Sequence, residues 1–208
     1  KRTLGKNNEL INYLNSNVTE NANFSAIALA NIGDTSVLND LYTKLLNVDS
    51  YVPHNSAFGL GESGTITAAD FLLLALNNNI NKNDKLTQEL VCELINNLGR
   101  TGNEKHLKEL LKIKTNDDIV TPYIALAIVR FEMRKYKDES SFQYLSNLMQ
   151  QANSEALNKY AAYCFNRTGD KQSLVPYKEI LLNLAESFNP STRMWSISAI
   201  GKLQDTAN

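Results

Sequence analysis

Few residues of this 208-residue chain are of a type that does covalent chemistry, and their spacing decides what they could do. The two histidines, His54 and His106, stand about fifty residues apart, with no H-x-x-x-H, C-x-x-C or G-x-S-x-G context around them. A zinc site needs ligands at short, fixed spacing and a hydrolytic serine needs its sharp turn, so neither is signalled and no metal or cofactor is called for. Glu89 and Glu93 lie four residues apart, the spacing of a solvated helix face, and Asp117-Asp118 reads as a helix cap. Gly59-Leu60-Gly61-Glu62-Ser63-Gly64 spells G-x-G-x-x-G, a string that cradles pyrophosphate only where a strand precedes it. None does, so these glycines are read as packing residues, and the chain is expected not to be an enzyme in itself.

Composition narrows the remaining classes. Lys and Arg total 21 against 22 Asp and Glu, a net charge of -1 with a pI near 6.2, so there is no global pull toward nucleic acid or an anionic membrane. The longest apolar run, Phe71-Leu72-Leu73-Leu74-Ala75-Leu76, is far short of a membrane span, and a soluble chain is expected. The sequence begins at Lys1 without a methionine, so a missing signal peptide says little about compartment. Cys92 and Cys164 fall in equivalent helices two repeats apart. At helix spacings of roughly 8–10 Å they would be about 16–20 Å apart, beyond the roughly 7 Å reach of a disulfide. Two free thiols are therefore expected, which favours the cytoplasm slightly over a periplasm. Asparagine makes up about one residue in eight and is read as cap and turn chemistry. The Asn-x-Ser/Thr triplets at Asn17, Asn23 and Asn166 are discounted as glycosylation sites.

The elements that must position these residues repeat. Ala28-Leu29-Ala30-Asn31-Ile32-Gly33-Asp34, the 59–64 string, Asn97-Leu98-Gly99-Arg100-Thr101-Gly102, Cys164-Phe165-Asn166-Arg167-Thr168-Gly169-Asp170 and Ala199-Ile200-Gly201-Lys202-Leu203-Gln204-Asp205 say nearly the same thing. With Gly33, Gly64, Gly102, Lys137, Gly169 and Gln204 as equivalents, the steps are about 31, 38, 35, 32 and 35 residues, a solenoid period. Apolar spacing predicts about twelve helices, near 6–16, 22–32, 35–47, 53–63, 67–78, 86–99, 104–113, 119–135, 140–151, 154–168, 173–187 and 190–203. The second helix of each pair carries small residues such as Ala57, Gly59, Gly61, Ala161, Ala162, Ser196 and Ala199, which let backbones approach closely. One quasi-linear domain over residues 1–208 is expected.

The A-x-A-L-x-x-I-G-D pattern at 28–34, followed by Leu38-Asn39-Asp40-Leu41-Tyr42-Thr43-Lys44-Leu45-Leu46, resembles HEAT repeats of the short bacterial, phycobilisome-lyase-like kind. About six such repeats cover the chain. The fourth departs from the pattern, Arg130-Phe131-Glu132-Met133-Arg134-Lys135-Tyr136-Lys137 replacing its small residues and glycine, and the arginine frequent near the start of the family's inner helix survives only as Arg193. The resemblance implies a right-handed, all-α, two-layer superhelix that binds other macromolecules, with the second helices on the concave side. It fixes no activity.

In such an array equivalent positions form ladders. One reads Asn31, Glu62, Arg100, Arg134 or Lys135, Arg167 and Lys202; with Arg130 and Arg193 it suggests a basic stripe suited to acidic peptides or phosphates. Cations at helix C-termini also serve the helix dipole with no ligand at all. A second ladder reads Ile27, Phe58, Asn96, Phe131, Tyr163 and Ser198, with His54, Lys159 and Met194 one turn back. Exposed aromatics beside cations anchor protein interfaces. The expected partner-binding residues are therefore Phe58, Arg100, Phe131, Arg134, Tyr163, Arg167, Arg193 and Lys202, with the aromatics moving into the inter-repeat core as the competing outcome. Trp195 is read as core. The leading functional reading is a non-catalytic scaffold binding a protein or peptide on its concave face. The alternative is the repeat segment of a larger enzyme, since such repeats accompany cyclophilin-type isomerase domains and phycobilin lyases and neither end here looks like a polar cap. Nucleic-acid binding ranks last.

Overall fold

A computed structural model describes residues 7–14, 16, 18, 21, 24, 25, 28, 29, 32, 35–46, 52–82, 84–152 and 154–204. They form two compact units, 1–106 and 107–208, and every regular element among them is helical. The first unit holds α1 (Asn7–Leu14), α2 (Thr35–Leu45), α3 (Val52–Ser63), α4 (Ile66–Asn79) and α5 (Lys85–Thr101). The short α6 (Glu104–Leu110) spans the boundary. The second unit holds α7 (Thr121–Met133), α8 (Ser141–Gln151), α9 (Glu155–Thr168), α10 (Lys171–Leu174), a 3-10 turn (Val175–Tyr177), α11 (Lys178–Ala185) and α12 (Pro190–Gln204). The predicted helix at 22–32 lies mostly outside the described residues, as do Ile27 and Asn31 of the two ladders.

Caps set the starts. Thr65, Asp84 and Ser154 accept the backbone N–H of Ala68, Thr87 and Leu157, and Asp170 forms a reciprocal capping box with Ser173. Asn189 accepts from Ser191 and Thr192 at 2.9 and 3.1 Å, opening α12. The helix expected over 173–187 starts earlier, at the Asp170 cap, and is broken at Val175–Tyr177 because Pro176 has no N–H to continue the ladder.

Each unit has two layers. In the first, α3 packs on α5 and α2 on α4; in the second, α7 packs on α9 and α9 on α12, with α8 and α11 behind them. Leu41, Leu60, Leu72, Leu76, Leu94 and Leu98 are sealed in the first core, and Ile124, Ile128, Leu145, Leu157 and Leu181 in the second. Tyr42 stacks on Phe71 at 4.4 Å in the first unit, and Phe142, Phe165 and Tyr177 meet at 5.0–5.8 Å in the second. Close approach explains Gly61: a Cβ there would stand 2.3 Å from Asn97 Oδ1 on the facing α5. The 59–64 string thus sits within and just after a helix and serves packing.

The fourth repeat ends differently from its expected register. Lys135 N–H bonds Glu132 C=O and Tyr136 N–H bonds Phe131 C=O, the pairing of a Schellman stop, with Lys135 at φ 70°. The left-handed stop therefore falls at Lys135, not Lys137, and a lysine holds the conformation that Gly64 adopts after α3.

Candidate protein-interaction surface

In the first unit, α3 and α5 bring two expected site residues together. The Arg100 guanidinium lies 5.4 Å from the Phe58 ring centroid and pairs with Glu62. Asn97 is wedged against Gly61 and donates to the Glu93 carbonyl at 2.9 Å and carboxylate at 3.2 Å. Neighbouring rungs of the basic ladder, Glu62 and Arg100, thus neutralise each other, and half-buried Phe58 is roofed by its own arginine. One turn earlier, burial holds the His54 imidazole below its ordinary pKa, opposed by the nearby Glu93 and Glu89.

In the second unit the expected residues separate into three kinds. Phe131 is fully buried, so it is core and not a contact residue. The early stop at Lys135 places Arg134 where its guanidinium covers Phe131 and Tyr136, 5.2 Å from each ring centroid. Arg193 and Lys202 are committed to backbone. Arg193 Nη1 donates to the Ser187 and Phe188 carbonyls, both at 2.8 Å, pinning the turn before α12. Lys202 reaches from α12 to the C-terminus of α9, donating to the Asn166 carbonyl and, at 2.9 Å, the Gly169 carbonyl. Burial lowers its pKa, Arg167 adds to that and Asp170 opposes it. Of the basic ladder in this unit, Arg167 is exposed, as are Arg134 and Lys135 at the end of α7.

Tyr163 takes the third role. It is half-buried on α9, its ring 4.7 Å from Trp195 on α12, and its hydroxyl donates to Met133 Sδ on α7 at 3.8 Å. Met133, Tyr163 and Trp195 form a strip across three second helices. Trp195 is partly exposed and belongs to this surface, which corrects its assignment to the core. Met133 and Trp195 were missed because their exposure depends on where α7 stops and how α12 rotates, neither of which apolar periodicity reveals.

Glu132 was missed as well. Only 6% exposed, it lines a cavity of about 170 Å³ with Lys137, Asp138, Phe142, Thr168 and Ser173. Burial raises its carboxyl pKa; the nearby Ser141 hydroxyl and the charge of Lys137 oppose this. Its one sequence signal is a lone acid closing the apolar run 124–133. Cys92 and Cys164 are free and buried, as expected, and burial pushes the Cys164 thiol up to about 12. Among the described residues no group of three or more His, Cys, Asp or Glu side chains is placed to hold a metal ion, and no helix is long and apolar enough to cross a membrane.

No protein-family model matches the sequence, and no curated protein matches it. Solved structures do. A designed armadillo repeat protein superposes with a TM-score of 0.55 at 16% identity, over 94% of this chain and 98% of that one. An engineered protein solved as a structural-genomics target gives 0.58 at 17% identity, over 96% and 97%. The complex of CpcE and CpcF of phycocyanin lyase from Nostoc sp. PCC7120 gives 0.56 at 13% identity, over 98% of this chain and 80% of that one. The fold is an all-α repeat solenoid of the HEAT and armadillo kind.

Proposed function

We propose that the chain is a non-catalytic scaffold that binds a protein or peptide along the Met133–Tyr163–Trp195 strip, with Arg167 supplying charge beside it. The observation that carries this reading is the strip itself: two aromatics in tilted contact and a thioether, aligned across α7, α9 and α12 and left partly open. Aromatic and methionine side chains are enriched in the cores of protein interfaces, and Tyr and Trp offer large contact area at low ordering cost. The balanced charge favours a protein over a nucleic acid.

The test is a capture experiment comparing wild type with Trp195→Ala, Met133→Ala and, in the other unit, Arg100→Glu, each checked for native circular dichroism. Loss of one protein from both strip variants, and its retention by the Arg100 variant, supports the reading. Retention by both folded strip variants overturns it.

The likeness to the phycocyanin lyase complex favours a second reading, in which the chain is the repeat component of a larger lyase-type enzyme. It predicts that an added linear tetrapyrrole changes its absorption spectrum on mixing with the chain. An unchanged spectrum at saturating protein removes it.

A further inference from the structure

Glu132 departs from the rule of its own repeat position. The residues that stand where it does in the other described second helices are Gly59, Asn97, Cys164 and Ala199, all buried and none charged. Glu132 is buried as well, yet it puts a carboxylate where the rest of the stack keeps small or neutral side chains. Burying a carboxylate is costly unless a cation and hydrogen bonds replace its lost water. No described residue forms an ion pair with it: Lys137 acts through its charge alone, and burial keeps the carboxyl pKa raised.

The cavity that Glu132 lines lies wholly within the second unit, where the C-terminal ends of α7 and α9 meet the starts of α8 and α10. Its volume of about 170 Å³ is close to the ~150 Å³ that takes a benzene-sized guest. Glu132, Asp138, Glu139 and Asp170 line it against the one ammonium of Lys137, so its field is negative. Asp138 and Asp170 are engaged as caps. Asp138 Oδ1 accepts from the Ser140 N–H at 2.9 Å and hydroxyl at 2.6 Å, and Asp170 Oδ1 accepts from the Ser173 N–H at 2.9 Å. The Thr168 and Ser173 hydroxyls donate to the Cys164 and Asp170 carbonyls. Glu132 is the buried charge of this wall without a counter-ion, and the Ser141 hydroxyl near it, 1% exposed, has no hydrogen-bond partner. A carboxylate short of a cation and a hydroxyl short of a partner are left side by side.

We propose that this cavity is a binding site for a guanidinium group, the head of an arginine side chain or of a free alkylguanidine, with the Glu132 carboxylate as its counter-ion. The negative field calls for a cation. A metal ion is the poorer occupant because, among the described residues, no three His, Cys, Asp or Glu side chains converge to hold one. A guanidinium suits the wall. It bonds a carboxylate through two parallel N–H groups, keeps further N–H donors for an acceptor such as Ser141 Oγ, and stacks on an aromatic ring, which Phe142 supplies. A lysine ammonium has neither the plane nor the fork. The site uses none of Met133, Tyr163 and Trp195, so it stands or falls apart from the docking strip.

Nuclear magnetic resonance of the isotope-labelled chain, titrated with ethylguanidinium chloride to about 50 mM at constant ionic strength, covers the weak affinity of so small a ligand. Saturable amide shifts are expected at Ser141, Phe142, Thr168 and Ser173, and ethylurea, the neutral molecule of the same shape, is expected to give none. Glu132→Gln, with unchanged circular dichroism, should weaken binding at least about tenfold, because a charge-assisted pair is lost. Glu139→Gln removes the same charge from an exposed side chain and should change it less than about threefold. A blocked tripeptide with a central arginine separates the sources. If it binds at least as tightly as ethylguanidinium, the site takes an arginine of a bound chain; if it binds more weakly, the site takes a free guanidine. Shifts that rise without saturating, that ethylurea reproduces, or that Glu132→Gln leaves unchanged overturn the proposal. The comparison with ethylurea needs wild type alone, so it decides even where the variant fails to fold.

Discussion

Two glycines at one repeat position carry opposite expectations. At Gly61 an added methyl would collide with the Oδ1, Cβ and Cγ of Asn97, at 2.3 to 2.7 Å, so Gly61→Ala is expected to cost about 1–3 kcal/mol of stability. At Gly201 the same change meets nothing and removes the entropic penalty of glycine, so Gly201→Ala is expected to gain about 0.5–1 kcal/mol. Urea midpoints measured on dilute protein check both; equal signs would contradict the geometry. Glu132 makes a pH prediction. Its folded pKa lies above the unfolded one, so the native state keeps a proton that the unfolded chain has already released. Its stabilising contribution is therefore present below the unfolded carboxyl pKa and is lost as pH rises through the folded value. Glu132→Gln should flatten that decline and be the more stable protein at neutral pH, read from urea midpoints taken between about pH 4 and 8. Nothing in the sequence distinguishes Gly61 from Gly201, because the difference is whether a neighbouring helix is there to be met.

Helix positions were legible because caps and apolar spacing are local signals. Thr65, Asp84, Ser154 and Asp170 open their helices within a residue or two of the predicted starts. The failures are non-local or involve a residue acting against type. Spacing makes Lys202 a rung of a basic ladder, whereas its acceptors are carbonyls at the C-terminal end of α9, 33 and 36 residues away. Its role is to satisfy the end of another helix. Lys202→Met, which keeps the stem and drops the charge, is expected to cost about 1–2 kcal/mol, whereas the exposed Arg167→Ala should stay within about 0.5 kcal/mol; thermal unfolding of the pair tests the contrast. Lys135 misled in a different way, since left-handed backbone is expected at glycine. Strain at φ 70° makes Lys135→Gly stabilising by about 1 kcal/mol, and a loss instead would mean that the lysine side chain, not the backbone, governs that stop. With the stop misplaced, Phe131 was put on the surface and Met133 overlooked.

At the scale of the whole molecule, the repeat period announced a solenoid, while which faces stay open depended on helix rotation and on the neighbour each helix has. In a stack, stability is a sum of intrinsic repeat terms and nearest-neighbour interfaces. In the second unit α9 packs between α7 and α12. Removing α12 would uncover Ala162, strip Tyr163 of Trp195 and leave the Asn166 and Gly169 carbonyls without their lysine. A chain ending at Phe188 is therefore expected to lose protection against amide hydrogen exchange across α9 first and α7 next. The amides of α4 at its buried residues Ala68, Ala69, Leu72, Leu73, Ala75 and Leu76, in the other unit, should exchange as they do in the full chain. Loss graded from α9 to α7 with α4 unchanged is the signature of coupling between neighbours. Uniform loss across both units would instead show that the chain unfolds as one cooperative body and that the interfaces, not the repeats, carry most of its stability.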